Sequence, residues 1–171
     1  NWSRVVDDFK KFSEEQIRTM VDFPVNEYHF LIQILPFRFY HGVEHLKSTV
    51  LALGPGSNLM EPALYIDFIG VASHELFHSW NIKTIRPAEM LPYDYTRENY
   101  SRLGVVYEGV TTYYGDLFLV RSGVYSVDQF FMEINARLQK HFDNYGRFNL
   151  SVADSSFDTW LDGYGPGIPN R

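Results

Sequence analysis

Two patterns of apolar residues divide the chain. Tyr28 to Phe39 is rich in aromatic and β-branched residues and reads as a buried strand. A second strand-like run, Ser48 to Leu53, is closed by the turn sequence Gly54-Pro55-Gly56-Ser57-Asn58. Downstream the spacing becomes helical. One helix is expected from about Asp67 to Ile82, apolar along most of its length, and another from about Leu103 to Ser122. Residues 83–103 between them form a polar, tyrosine-bearing stretch, where Pro87 and Pro92 argue against a continuous helix. Ser126 is placed to cap a third helix, about Val127 to Phe142, with Phe130, Phe131, Ile134 and Leu138 on one face. A short helical piece, Ser155 to Leu161, precedes a tail of loop composition, Gly163 to Pro169. Near the start, Ser13-Glu14-Glu15-Gln16 has the form of a capping box opening a short helix that ends near Phe23-Pro24. A small sheet followed by helices predicts an α+β fold.

Composition narrows the class. At 171 residues, 45% hydrophobic and 17% aromatic, the chain can bury a substantial core as one large unit. Mean hydropathy is −0.23 and no run of 18 apolar residues occurs, so no membrane span is expected. A net charge of −6 argues against nucleic acid as a partner. With no cysteine, disulfides are excluded and redox chemistry says nothing of the compartment. The chain begins at Asn1 without Met and shows no signal peptide, which reads as an excised piece.

The chemistry concentrates in His74-Glu75-Leu76-Phe77-His78. On a helix, positions i and i+4 lie one above the other, so His74 and His78 can offer two imidazole nitrogens to one metal. Glu75 is displaced around the same turn, near enough to act on an activated water without being a ligand. Two histidines and a glutamate inside an apolar helix would be costly to bury without such a purpose. Catalytic zinc takes three protein ligands and keeps one position open. Glu108, in Val106-Tyr107-Glu108-Gly109-Val110-Thr111, supplies the third ligand in this reading. Glu61, Glu89 and Glu98 are rivals, each in a polar or proline-containing stretch. Non-haem iron also uses two His and one carboxylate, but it does not call for the adjacent Glu75, so Zn2+ is preferred. Thr111, Thr112 and Asp116 are placed to orient the imidazoles.

A second motif, Gly42-Val43-Glu44-His45, lies just before the second strand-like run. Glu44 on a strand edge facing the cleft would bind the α-ammonium of a peptide and fix the cut near its N-terminus. The backbone there, including Gly42, would pair with an extended peptide. The alternative is a surface Glu beside a turn glycine. His41 and His45 are spare candidate ligands.

His74 to Lys83, followed by Ile85-Arg86-Pro87, resembles the active-site signature of the glycyl aminopeptidase family. Tyr107 to Tyr114 is similar to that family's third-ligand segment, and Gly42-Val43-Glu44-His45 to its version of an exopeptidase motif. Ser155 to Trp160 is also similar, so the resemblance runs from about residue 28 onward. It implies a gluzincin with a thermolysin-like catalytic domain: residues 1–66 the sheet-containing part, 67–171 the helical part. It further implies a zinc aminopeptidase acting on peptides with Gly or Ala first. One departure stands out. The tyrosine that stabilises the oxyanion in relatives has no match before Arg171, and Tyr164, followed by Gly165-Pro166, fits poorly. The family's N-terminal β domain and C-terminal PDZ domain are likewise not seen, so the expectation is an isolated catalytic core. Two other functions use the same residues: an endopeptidase in which Glu44 has no amine to bind, and a non-catalytic peptide-binding module.

Overall fold

The computed structural model describes residues 2–162. A long helix α1 (Trp2–Met20) leads into strands β1 (His29–Ile34), β2 (Phe39–Glu44) and β3 (Ser48–Gly54). Helix α2 (Pro62–Phe77) follows, then a π-helical segment (Val105–Val110) that runs into α3 (Thr111–Arg121), then α4 (Val127–Asp143), α5 (Val152–Phe157) and α6 (Thr159–Asp162). The architecture is α+β.

The sheet has the order β1-β3-β2, with β1 parallel and β2 antiparallel to β3. The expected single strand from Tyr28 to Phe39 is therefore two strands. Pro36, which has no amide to donate to a ladder, lies in the turn between them. Nor is the run buried throughout: Leu31, Phe37 and Phe39 are exposed. The central strand β3 alternates in burial, with Thr49, Leu51 and Leu53 turned onto the helices. The arrangement leaves β2 at the sheet edge beside α2.

Helix α2 begins at Pro62, ahead of the expected start at Asp67. Proline is tolerated in a first helical turn, where its missing amide would be unpaired anyway. Phe68, Ile69, Ala72 and Leu76 are fully or almost fully enclosed. Helix α1 packs across α2, its Phe9 ring 4.7 Å from Phe30 and 5.3 Å from Phe68. Phe12 is wholly buried, a contribution of about 1.5–3 kcal/mol by itself. The capping-box reading at Ser13 is corrected, since α1 runs through Ser13 and Gln16 without a break. Gln16 instead sits inside the core, where its amide donates to Ser73 O and Oγ, both at 2.9 Å. Ser73 Oγ in turn donates to Gly115 O of α3 at 2.7 Å. One polar chain thus fixes α1, α2 and α3 beside His74.

The capping box at Ser126 is present in both directions, Gln129 N to Ser126 Oγ and Ser126 N to Gln129 Oε1. On the apolar face expected of α4, Phe130 and Ile134 are half-buried while Phe131 and Leu138 are exposed. The expected tail from Gly163 and Tyr164 lies outside the described residues. No helix among the described residues is long and apolar enough to cross a membrane.

Candidate metal centre and substrate cleft

The helical spacing of His74 and His78 sets their Nε2 atoms 2.9 Å apart at the C-terminal end of α2. Glu108 Oε2 approaches from the π-helical segment, 3.3 Å from His74 Nε2 and 3.6 Å from His78 Nε2. A π-helical turn carries an extra residue relative to an α-helix and is frequent at functional sites. Here it bears Glu108. The rival carboxylates go elsewhere: Glu61 accepts from Asn58, and Glu89 from Ser101. Among the described residues, two clusters could hold a metal, His74–His78–Glu108 and Glu44–Glu75–His78. Glu61, Glu89, Glu98, His41 and His45 belong to neither.

Polar contacts behind the imidazoles orient both rings, and the carbonyl partner fixes the tautomer of His78. His78 Nδ1 donates to Asn81 O at 2.9 Å, and His74 Nδ1 lies 3.3 Å from Thr112 Oγ1. Both Nε2 atoms are left pointing at Glu108. Of the three orienting residues expected, only Thr112 reaches an imidazole. Thr111 is engaged with Tyr107 O and Asn81, and Asp116 pairs with Arg137 at 2.6 Å. Asn81, absent from the sequence-based expectation, does more than either. Besides accepting from His78, its side-chain amide donates to Val106 O at 2.9 Å and Thr111 Oγ1 at 3.0 Å. It therefore ties the two ligand-bearing elements together. Its sequence signal is a polar residue three positions past His78 in an apolar surrounding. The next residue, Ile82, is buried with φ +122°, a strained backbone for a β-branched side chain.

Charge is distributed unevenly over the centre. Burial opposes ionisation of Glu108, but hydrogen bonds from both imidazoles outweigh it and bring its carboxyl down to about 2. Burial depresses His74. Burial also acts against the charge on His78, yet Glu108 and the Asn81 carbonyl raise it on balance. Of the two imidazoles, His78 is thus the one whose charged form is favoured, and its Nε2 lies 2.9 Å from that of His74. Glu75 is 5% exposed, and burial pushes its carboxyl up to about 8. Among the described residues its Oε2 has no hydrogen-bond partner.

These groups open onto a cleft of about 680 Å³. Helix α2 forms one wall, β2 a second, and α3 with α4 a third. Gly42 lies where β2 crosses Glu75. A Cβ there would fall 2.3 Å from Glu75 Oε1 and 2.7 Å from Val71 Cγ2, so only glycine permits the approach. Glu44 also lines the cleft, and its carboxylate belongs to the cluster with Glu75 and His78. It is ion-paired to Lys83 Nζ at 3.3 Å. The tertiary structure therefore brings His74, Glu75, His78, Glu108, Gly42 and Glu44 to one place, from three separate stretches of chain.

The sequence model of the family described as M61 glycyl aminopeptidase matches residues 67–171. Among solved structures, the chain is similar to the crystal structure of an aminopeptidase N family protein from Idiomarina loihiensis, with 32% identity and a TM-score of 0.88. That match covers 96% of this chain and 29% of the other, so the chain spans less than a third of the length of that relative. A search of curated proteins returns no match. With the match extending over more than half of the chain, and running through the histidine pair and Glu108, the chain belongs to the M61 glycyl aminopeptidase family.

Proposed function

We propose that the protein is a zinc-dependent aminopeptidase of thermolysin-like fold, removing the first residue, Gly or Ala, from peptides. The observation that carries this reading is the convergence of a His–His–Glu donor set, a buried non-ligand glutamate and a second carboxylate on an edge strand. Family membership supports the peptidase activity, and the preference for a small first residue rests on the resemblance alone.

The donor set fits a zinc ion. A tetrahedral ion with bonds of about 2.0–2.2 Å separates its ligand atoms by about 3.3–3.6 Å. The two His–Glu108 separations, 3.3 and 3.6 Å, fall in this range, and the two imidazole nitrogens, at 2.9 Å, are closer and would part by about 0.4 Å around an ion. Neutral imidazoles and a carboxylate are also the ligands such an ion prefers, and both histidines are oriented from behind. The unpartnered Glu75 Oε2 marks a polar direction left open in the same pocket.

When bound, zinc polarises the scissile carbonyl and brings the pKa of a water toward ~7. The chain does the rest. Glu75, buried beside the histidine pair and outside the His–His–Glu donor set, takes the proton of the attacking water in its ionised form and delivers it to the leaving amine. The β2 edge holds the substrate extended, with Gly42 allowing that edge to lie close against Glu75. Glu44 receives the α-ammonium and sets the scissile bond one residue from the N-terminus.

The test uses the full-length protein. Wild type should retain one zinc per chain, lose it on His74→Ala, and keep it on Glu75→Gln while kcat falls by about a hundredfold or more. Wild type should cleave free tripeptides far better than N-acetylated ones, and Glu44→Ala should abolish that difference. Equal cleavage of both by wild type would favour the endopeptidase.

A further inference from the structure

We infer that Lys83 is the positioning residue for the amine-binding carboxylate: its ammonium holds Glu44 from behind, so that the other face of the carboxylate meets the substrate's α-ammonium. The inference rests on the reading of Glu44 given above, and it adds a residue to which that reading assigns no part.

Three carboxylates crowd this cleft. Glu44 and Glu75 each have an oxygen within 4.8 Å of the other's and of a His78 ring nitrogen, and Glu108 Oε2 is 3.6 Å from His78 Nε2. Two carboxylates at such a distance repel each other, and the repulsion is large where water is scarce. A cation beside Glu44 offsets that repulsion and fixes the direction of its carboxylate. Lys83 Nζ, 3.3 Å from Glu44 Oε1, is that cation.

The lysine is built to stay where it is. Its side chain is 19% exposed. Its backbone amide donates to His78 O at 3.0 Å, and its carbonyl accepts from Arg86 Nε at 3.0 Å. The loop after α2 is thus pinned on both sides of the residue, and less side-chain freedom is lost when the ion pair forms. The strained Ile82 immediately before it directs the chain into this position.

The position also decides between two roles. An ammonium inside the cleft would compete with the substrate's own. Glu44 lines the cleft, and Lys83 pairs with its Oε1 while its charge also acts on Glu75. The ion pair engages Glu44 Oε1, and in this reading one carboxylate is shared between a resident cation and an incoming one. Substrate binding then needs no displacement of the lysine.

The experiment compares alanyl-alanyl-alanine with its N-acetyl form on zinc-loaded full-length protein, for wild type, Lys83→Met and Lys83→Arg. Lys83→Met should raise KM for the free peptide by about ten- to hundredfold, the scale of one hydrogen bond to a charged group. The preference for free over acetylated peptide should shrink by the same factor. Lys83→Arg, which keeps the cation, should stay within about threefold of wild type. Unchanged or lower KM in Lys83→Met would overturn the inference, the second because it would make the lysine a competitor. So would loss of preference in Lys83→Arg equal to that in Lys83→Met. If wild type itself shows no preference, the amine-binding reading of Glu44 fails and the inference goes with it; a preference that is present but indifferent to Lys83 removes the inference alone.

Discussion

At the scale of single residues, the site depends on how closely β2 approaches α2. Gly42 is the contact point, and a methyl group there meets both Glu75 Oε1 and Val71 Cγ2 at 2.3 and 2.7 Å. Glu75 has the longer and more mobile side chain, so it is the group that yields. Gly42→Ala should therefore cost about a hundredfold in kcat/KM, the loss expected when a catalytic group is misplaced by about 1 Å. Zinc content should be unaffected, because His74, His78 and Glu108 are not among the nearest neighbours of the new methyl. Kinetics together with elemental analysis of the purified variant measure both. Full activity in Gly42→Ala would mean that Glu75 can work from another position. The sequence singles out Gly42 as part of the Gly42-Val43-Glu44-His45 motif. What it does not contain is the reason for the glycine, which is the distant Glu75 on the next helix.

At the scale of elements, the two histidines and Glu75 are legible because helical periodicity fixes their relative directions locally. Glu108 is legible in kind but not in conformation, since nothing in Val105 to Val110 announces a π-helical turn. The expected helix start at Ser13 fails for a similar reason. Ser13-Glu14-Glu15-Gln16 satisfies the local pattern, yet burial of Val5, Phe12 and Gln16 along one continuous face outweighs that preference. The end of α1 carries a testable strain. Val21, just past Met20, has φ +71° and is 89% exposed, a left-handed position that a β-branched residue fits badly. Relief of that strain is worth about 1–2 kcal/mol, against about 0.5–1 kcal/mol of extra chain entropy for glycine. Val21→Gly should on balance raise Tm by about 2–4 °C, measured by calorimetry. A lower Tm would show that the valine is not strained.

At the scale of the whole molecule, an ion pair at the cleft wall links α4 to α3. Arg137 reaches Asp116 of α3 at 2.6 Å and Glu133 of its own helix at 3.6 Å. Burial raises Asp116 from its ordinary value of 3.8 to about 6, with Arg137 opposing and Glu133 reinforcing the shift. A carboxyl raised on folding binds more protons in the native state than in the unfolded one across that interval. Its contribution to stability is therefore full below about pH 4 and declines as pH rises to about 6. Urea unfolding of wild type and Asp116→Asn between about pH 4 and about pH 7 isolates it, since the variant lacks this titration. Wild type should lose stability relative to the variant as pH rises through this window. A difference that is flat with pH would place Asp116 at its ordinary value.

Taken alone, the sequence determined what is short-range. The α+β order of elements, the i,i+4 histidine pair, the glutamate beside it and the helix cap at Ser126 each depend on residues within one or two helical turns. Tertiary structure decided what depends on separation. It split the run from Tyr28 to Phe39 around Pro36 and sent β2 to the sheet edge. It put Gln16 in the core against Ser73, made Asn81 the tie between the ligand-bearing elements, and set Lys83 beside Glu44. These contacts join residues up to 57 positions apart, and their partners are chosen by packing and by the cost of leaving a buried polar group unpaired.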